Sequence, residues 1–233
     1  MVKELIGKFI TKYAKKQIDK LTNTVTEEPN KKTEDPMMNY IYDPTSTPSN
    51  EMFLNAVDYN SIPEPEIINP DGKKTLILVD DVVYTDIMYR QDAKKMATQY
   101  NVDPYSDIKM VKCLGEKAGF QAYKYAVIDG NPVDFGVLDI TLGHQLRVMD
   151  SYYMEVDGID VARFIKEKNP NFKFLLCTAH TLNKTNSIIT KYDSKVEKHL
   201  GGKLEDYYLN KNSYRVDKFY LLVYGDKQHN TQE

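Results

Sequence analysis

Long apolar runs, closely spaced cysteines and an excess of basic charge are all missing from this chain, and each absence excludes a class of protein. No apolar run approaches the roughly 18 residues that a membrane-spanning helix needs. Cys113 and Cys177 stand far apart in apolar segments, so we expect two reduced core thiols rather than a disulfide framework or a metal site. A net charge of −3 provides no general attraction for nucleic acid. The composition therefore predicts a cytoplasmic globular protein.

The distribution of prolines and charges divides the 233 residues into four parts. Residues 1–22 are basic and amphipathic, and residues 23–73 are polar and hold seven of the ten prolines, as in a linker or an extended arm. Within that arm, "NEMFLNAV" at 50–57 is a short apolar patch that could dock on a surface or form one or two helical turns. Residues 74–227 carry strand and helix signals, and residues 228–233 form a short tail.

The first 22 residues predict an amphipathic helix, with Leu5, Phe9 and Tyr13 near one face. Six lysines against Glu4 and Asp19 give this segment a net charge of +4. Such a helix can pack on its own protein or on a second copy, lie in a partner's groove, or lie on an anionic membrane. We favour packing, and we place a partner's groove second and membrane contact last.

Five short segments after Gly72 are apolar and rich in β-forming residues. They span 75–81, 107–114, 133–140, 172–179 and 205–210. Helical patterns alternate with them: from about Tyr84 to Tyr100, in "EKAGFQAYKYAV", in "DGIDVARFIKEKNP", from Ile189 to Leu200, and in "SYRVDKFYLLVYG". Alternating helices and almost wholly apolar strands predict an α/β fold, with a parallel sheet covered by helices on both faces.

Polar residues follow the predicted strands at their carboxyl ends, where open α/β sheets bind ligands. Asp80 and Asp81 close the first strand, and Asp139 ends the third in "FGVLDITLG". Thr178 ends the fourth strand, and Lys211 follows the fifth. An aspartate at a strand end is by itself often a turn former or a helix N-cap. The convergence of all five residues favours a functional site instead.

This set of side chains suits phosphate chemistry with a metal ion. Three clustered carboxylates repel one another and need a cation nearby if all are to stay ionised. Oxygen ligands at short range suit Mg²⁺. A carboxylate beside the ion can attack phosphorus to form an acyl phosphate, while an ammonium group and a hydroxyl group bind the phosphoryl oxygens.

Five strings, each at the expected element boundary, carry a resemblance to a known family. In chain order they are "LVDD", "VLDI", "VDG" at 156–158, "CTA" and "YLNKN". Over roughly residues 74–227 they resemble the receiver domain of two-component response regulators. The resemblance implies a flavodoxin-like, doubly wound sheet of five parallel strands in the order 2-1-3-4-5. It also implies that a histidine kinase or a phosphotransfer protein phosphorylates a strand-end aspartate, with Mg²⁺ bound beside it.

The resemblance assigns roles to the acidic residues. Asp139 would accept the phosphoryl group. Asp80 and Asp81 would form the acid pair, with Asp81 a direct ligand of Mg²⁺. The backbone carbonyl of Thr141 would be the third protein contact to the metal.

Three further residues would respond to the phosphoryl group. Thr178 would be the switch hydroxyl, Tyr208 the switch aromatic and Lys211 the phosphate-binding lysine. Asn212 replaces the proline that usually follows this lysine behind a cis peptide bond. A cis bond before another residue costs about 3 to 4 kcal/mol, so the turn is expected to relax to trans, and the placement of the lysine is an open point.

The segment "ITLGHQLRVMDSYYMEV" departs from the family pattern, because it inserts residues 141–156 beside the acceptor. This insertion can be a lid, a partner-specific contact or an excursion without function, and we favour the partner contact. His180, two residues after Thr178, would flank the route of an attacking water together with Thr141. We favour no catalytic duty for this histidine.

The leading functional prediction is a phosphoacceptor receiver that switches contacts with a downstream protein partner. Its enzymatic activity would be at most self-phosphorylation and autodephosphorylation at Asp139. The last eight residues, "DKQHNTQE", are too short for a DNA-binding output domain, so no contact with nucleic acid through such a domain is expected. The alternative is a receiver fold that serves as a structural or adaptor module in a larger, possibly phage-encoded, assembly. A Mg²⁺-dependent phosphotransfer enzyme is disfavoured because no further general acid or substrate-binding motif is visible.

Overall fold

The computed structural model describes residues 48–83, 85–149, 152–183, 186–211 and 216–225. The predicted basic helix, the arm up to residue 47, Asn212 and the tail lie outside these ranges. Within them the strands are β1 (Glu66–Ile68), β2 (Thr75–Asp80), β3 (Lys109–Leu114), β4 (Phe135–Asp139), β5 (His144–Met149), β6 (Tyr152–Val156), β7 (Lys173–Thr178) and β8 (Tyr208–Asn210). Six of these strands form one sheet, and β5 and β6 form a separate pair.

The six-stranded sheet has the order β1-β3-β2-β4-β7-β8. Every neighbouring pair runs parallel except β1 with β3. The five parallel strands, numbered along the chain, therefore lie in the order 2-1-3-4-5, which confirms the predicted flavodoxin-like doubly wound fold. The structure adds β1 as an antiparallel edge strand, which the sequence did not indicate.

Helices cover both faces of this sheet. They are α1 (Asn50–Ala56), α2 (Thr85–Tyr100), α3 (Pro104–Asp107), α4 (Ala118–Tyr123), α5 (Gly158–Lys168), α6 (Ser187–His199), α7 (Leu204–Tyr207) and α8 (Val216–Tyr224). A π-helical turn at Lys124–Ile128 extends α4. None of these helices combines the length and apolar character that crossing a bilayer requires.

The alternation of side chains along the central strands separates two apolar layers. Ile77 and Val79 of β2 belong to a buried cluster with residues of α4, α5 and α6. Leu76 and Leu78 belong to a second cluster with residues of α2 and α8. Because both faces are covered, all six residues of β2 and all five of β4 are buried. The residues at the carboxyl ends of β2 and β4 are thus attached to strands that are buried along their whole length.

Residues 48–68 pack along the same domain. Phe53 of α1 is completely buried, and its ring centroid lies 4.6 Å from that of Tyr123 and 4.9 Å from that of Phe164. The apolar patch that the sequence marks at 50–57 is thus a two-turn helix that contacts α4 and α5. The chain then continues into β1, which pairs with β3 at the sheet edge.

The structure differs from the sequence prediction on either side of β7. The inserted segment after β4 forms an antiparallel hairpin of β5 and β6. The strand predicted at 205–210 begins only at Tyr208, because the residues before it form the short helix α7. This helix has a side-chain cap, in which Asp206 Oδ2 accepts a hydrogen bond from the backbone N–H of Lys203 at 2.8 Å. This local cap favours the helix over the β propensity of Tyr207.

Candidate functional site

Three carboxylates meet at the carboxyl edge of the large sheet. Asp80 ends β2 and Asp139 ends β4, and these neighbouring strands run parallel with Val79 opposite Leu138. Asp81 follows directly after β2. One carboxylate oxygen from each of the three aspartates lies within 4.8 Å of the other two. The structure thus brings together the three acidic residues that the sequence assigned to a metal site.

Backbone N–H groups hold one oxygen of each buried carboxylate. The N–H of Val82 donates to Asp80 Oδ1 at 2.9 Å, and the N–H of Thr141 donates to Asp139 Oδ1 at 3.2 Å. These tight turns are the structural use that an aspartate after a strand often has. Since the turns engage only Oδ1, the Oδ2 atom of each carboxylate remains for the site.

Lys211 lies between the two buried carboxylates. Its Nζ is 2.7 Å from Asp80 Oδ2 and 2.7 Å from Asp139 Oδ2. Its backbone N–H donates to the carbonyl of Thr178 at 2.9 Å, which extends the pairing of β7 with β8 by one residue. The ladder between these two strands therefore brings the ammonium group to the ends of β2 and β4.

Thr178 and Tyr208 lie on neighbouring strands, and both contact the backbone of His180. The hydroxyl of Thr178, which is almost fully buried, accepts a hydrogen bond from the N–H of His180 at 3.2 Å. The hydroxyl of Tyr208 donates to the carbonyl of His180 at 2.8 Å and accepts from Asn210 Nδ2 at 2.6 Å. One residue thus links the predicted switch hydroxyl to the predicted switch aromatic. The half-buried His180 makes both of these contacts through its main chain.

Burial and charge shift the ionisation of the site. Burial raises the pKa of Asp139 to about 7, with repulsion from Asp80 adding to the rise and Lys211 opposing it. Burial and the Asp80 charge also raise the pKa of Asp81. Burial alone would lower the pKa of Lys211, but Asp139 and Asp80 outweigh this effect and raise it. Three carboxylates against one ammonium group leave an excess of negative charge, which a bound cation would relieve.

The residues present fit Mg²⁺. Asp80 Oδ2 is buried and makes no hydrogen bond of normal geometry, although Lys211 lies at ion-pair distance. The three acids offer only oxygen atoms, which hard cations prefer, and Mg²⁺ typically takes one or two carboxylates and keeps several waters. Asp81 is partly exposed, so water can reach the cluster on its side.

No protein-family model and no curated protein matches the sequence. Among solved structures, the chain is similar to the response regulator TrrA from Thermotoga maritima in complex with Mg²⁺-BeF, with 18% identity and a TM-score of 0.36, covering 63% of this chain and 92% of that chain. It is similar to the CheX–CheY–BeF₃–Mg²⁺ complex from Borrelia burgdorferi, with 18% identity and a TM-score of 0.36, covering 65% of this chain and 90% of that chain. It is also similar to a CheY-like response regulator receiver domain protein from Methanospirillum hungatei, with 15% identity and a TM-score of 0.34. That match covers 63% of this chain and 87% of that chain. Since these TM-scores are low, the fold assignment depends on the strand order.

Two residues near Asp139 were missed as parts of the site. Tyr192 of α6 places its hydroxyl 3.3 Å from Thr141 Oγ1, and the sequence analysis covered it only as part of the helical pattern from Ile189 to Leu200. Gly158, at the start of α5, lies so close to the carbonyl of Asp139 that a Cβ atom would be 2.2 Å from its oxygen. The glycine of "VDG" was visible in the sequence, but its contact joins residues that the hairpin separates.

Proposed function

We propose that residues 74–227 form a phosphoacceptor receiver in which Asp139 takes a phosphoryl group. The observation that supports this most directly is the position of Asp139 Oδ2, which lies 2.7 Å from Lys211 Nζ within the three-carboxylate cluster. The phosphodonor would be a histidine kinase or a phosphotransfer protein, as the family resemblance implies. Output would pass to a downstream protein partner.

The reaction would be a displacement at phosphorus. Asp139 Oδ2 attacks the phosphorus atom, the bond between phosphorus and the donor's leaving atom breaks, and the leaving group takes that electron pair. The product is an acyl phosphate on Asp139. The attacking carboxylate must be ionised, and the positive charge of Lys211 favours that form.

The remaining residues would bind charge that the phosphoryl group introduces. Asp80, Asp81, Asp139 and the carbonyl of Thr141 would hold Mg²⁺. When bound, this ion would supply positive charge that neutralises the phosphoryl oxygens. Lys211 would exchange its contact with Asp139 Oδ2 for one with a phosphoryl oxygen.

Thr178 and Tyr208 would transmit the change. Both contact His180, so a phosphoryl group that draws the Thr178 hydroxyl toward Asp139 would also shift the loop that accepts the Tyr208 hydroxyl. Tyr208 is half-buried, and the release of its hydrogen bond would change the surface beside β8. This is a population shift driven by a local change of charge.

The alternative function, a structural or adaptor module without phosphotransfer, draws support from the hairpin of β5 and β6. This hairpin follows the loop after Asp139, and in the described residues its two strands pair only with each other, while β5 also lies against α1. Residues 48–68, in contrast, pack on their own domain through Phe53 and β1. Their contacts give no support to an arm that wraps a neighbouring subunit.

Phosphorylation of the purified protein tests the proposal. We expect intact-protein mass spectrometry to show a phosphoryl-sized mass gain after incubation with Mg²⁺ and acetyl phosphate, and Asp139→Ala and Asp139→Asn to abolish it. Asp134→Asn is the matched control, because Asp134 lies at the opposite end of β4, where its side chain accepts from the N–H of Thr75. This control should show the same phosphoryl-sized mass gain as the wild type.

Two results would count against a receiver. If Asp139→Ala protein incorporates as much phosphoryl group as the wild type, Asp139 is not the acceptor. If the wild type gains no mass under conditions that phosphorylate another receiver domain, the adaptor reading is favoured.

A further inference from the structure

The loop that follows Asp139 is connected to α6 by a pair of hydroxyl groups. Thr141 Oγ1 and the Tyr192 hydroxyl lie 3.3 Å apart, and either can donate the hydrogen bond. The backbone N–H of the same threonine donates to Asp139 Oδ1. A continuous set of hydrogen bonds therefore runs from α6 through Thr141 to the acceptor carboxylate.

The position of Tyr192 is fixed by the packing of its helix. Its side chain is buried in the same apolar cluster as Ile189 and Val196, so its ring has little freedom to turn. Lys195, three residues later and thus on the same side of α6, forms two ion pairs of 2.8 Å with Asp157 and Asp160. Core packing and these ion pairs together set the rotation of the helix about its axis.

The anchoring points of α6 lie on both sides of the hairpin. Tyr192 contacts Thr141, which precedes β5, and Lys195 contacts the carboxylates that begin α5, which follows β6. The helix thus holds the two ends of the inserted segment. α6 therefore restrains the residues that join the hairpin to Asp139 on one side and to α5 on the other.

We propose that Tyr192 is a positioning residue for the Asp139 carboxylate and acts through Thr141. Its hydroxyl fixes the loop from which the Thr141 N–H donates to Asp139 Oδ1, which leaves Oδ2 directed toward Lys211. This inference rests on the proposed function, in which the same carboxylate binds Mg²⁺ and accepts the phosphoryl group. According to this proposal, α6 helps to position the Asp139 carboxylate.

Tyr192→Phe tests this role because it removes the hydroxyl and keeps the buried ring. We expect isothermal titration calorimetry to show about fivefold weaker Mg²⁺ binding, the effect of losing one ordinary hydrogen bond. Tyr207→Phe is the matched control, since its hydroxyl donates a hydrogen bond of 2.9 Å to the carbonyl of Gly201, in the segment after α6. The control should bind Mg²⁺ as tightly as the wild type.

Comparison with Ca²⁺ separates positioning from a general loss of stability. Mg²⁺ requires nearly ideal octahedral geometry, whereas Ca²⁺ tolerates irregular coordination. A misplaced carboxylate should therefore weaken Mg²⁺ binding by a larger factor than Ca²⁺ binding. Equal losses for the two ions in Tyr192→Phe would overturn the proposal, as would an equal loss of Mg²⁺ affinity in Tyr207→Phe.

A double-mutant cycle tests the route through Thr141. Thr141→Val removes the hydroxyl at nearly constant shape, and we expect its combination with Tyr192→Phe to bind Mg²⁺ no more weakly than either single variant. If the losses of Mg²⁺ affinity add up in the double variant, Tyr192 does not act through Thr141.

The wild-type titration distinguishes failure of this inference from failure of the proposed function. If the wild type binds Mg²⁺ and gains a phosphoryl group but Tyr192→Phe behaves identically, the positioning role is wrong and the receiver function stands. If the wild type binds no Mg²⁺ and gains no phosphoryl group, both are overturned.

Discussion

The cluster around Lys211 and a second cluster around Lys195 each join one lysine to two buried aspartates. In the second cluster, Nζ of Lys195 lies 2.8 Å from Asp157 Oδ2 and 2.8 Å from Asp160 Oδ2, nearly the distances found for Lys211. The side chain of Lys195 is 3% exposed and that of Lys211 is 14% exposed. The geometry of the ion pairs alone therefore does not distinguish a reactive cluster from a structural one.

Backbone donors complete the cluster around Lys195. The N–H groups of Ile159 and Asp160 donate to Asp157 Oδ1 at 2.9 and 3.1 Å, and the N–H of Asp157 donates to Asp160 Oδ2 at 3.1 Å. This reciprocal arrangement is a capping box at the start of α5. Both oxygens of Asp157 and Oδ2 of Asp160 are engaged by the helix end and the lysine, while Asp160 Oδ1 is buried without a hydrogen-bond partner. We therefore interpret this cluster as structural.

The cluster around Lys211 has one more carboxylate than its counterpart. Asp81 adds a third negative charge within 4.8 Å, and it is partly exposed. The excess charge and the access from solvent, rather than the presence of a buried ion pair, mark this cluster as one that can bind a cation. The two lysines should therefore respond differently to substitution.

The largest effect is expected for Lys195→Met. It leaves two buried aspartates without their cation, and breaking such a pair costs about 3 to 5 kcal/mol. Urea unfolding should show this loss in free energy of unfolding, with Mg²⁺ present or absent. Lys168→Met, on the exposed surface of α5, is the control and should change stability by less than about 0.5 kcal/mol. A loss no larger than that of the control would mean that the cluster contributes little.

Lys211→Met sharpens the contrast, because Mg²⁺ at the proposed metal site would replace the lost positive charge. In EDTA we expect it to lower the free energy of unfolding, and we expect saturating Mg²⁺ to restore part of that loss. Lys195→Met should show no such restoration. If Mg²⁺ restores neither variant or both equally, the distinction between the two clusters fails.

The effect of Mg²⁺ on the pH dependence of stability should differ between the clusters as well. The raised pKa values of Asp81 and of Asp139, the latter about 7, mean that the metal-free folded protein binds more protons than the unfolded chain between about pH 4 and pH 7. The free energy of unfolding should therefore fall as pH rises through this window. Burial also raises the pKa of Asp160 to about 7, which adds a slope of the same sign.

Urea midpoints measured across this window in EDTA and in Mg²⁺ separate the two contributions. Mg²⁺ bound at the proposed site would favour the ionised form of the carboxylates, so it should flatten the part of the slope that belongs to Asp139. Asp139→Asn should flatten the slope in EDTA and make it insensitive to Mg²⁺. Identical slopes for the wild type in EDTA and in Mg²⁺ would contradict a metal site at these acids.

The smallest effect on stability is expected for Asp81→Asn. Its carboxylate is partly exposed and repelled by Asp80, so the loss of its charge should change the free energy of unfolding in EDTA by less than about 0.5 kcal/mol. Calorimetric titration should nevertheless show at least a tenfold loss of Mg²⁺ affinity. Unchanged affinity would remove Asp81 from the metal site.

The sheet and the strand-end residues could be predicted because they depend on local patterns. The central strands are continuous apolar runs, and the resemblance supplied their order. Asp80, Asp139 and Lys211 each end or follow such a run, and parallel strands bring their carboxyl ends to one edge. The close approach of these side chains followed from the fold.

The missed features depend on contacts between distant parts of the chain. β1 has only three residues in a proline-rich stretch, and it exists through its pairing with β3. Lys195 occurs between Tyr192 and Val196 on the buried side of α6, where a lysine without a known partner contradicts the apolar pattern. Its partners lie more than thirty residues earlier in the chain, so no local signal identifies them.

The short strand β1 also has a consequence for the behaviour of the protein in solution. An uncovered edge of β3 would offer unpaired N–H and C=O groups to a strand of another molecule and so invite aggregation. β1 occupies that edge, and Pro63 and Pro65 directly before it lack the N–H groups that would extend a new edge. Removing residues 48–68 should therefore cause edge-to-edge association as well as loss of the contacts made by Phe53.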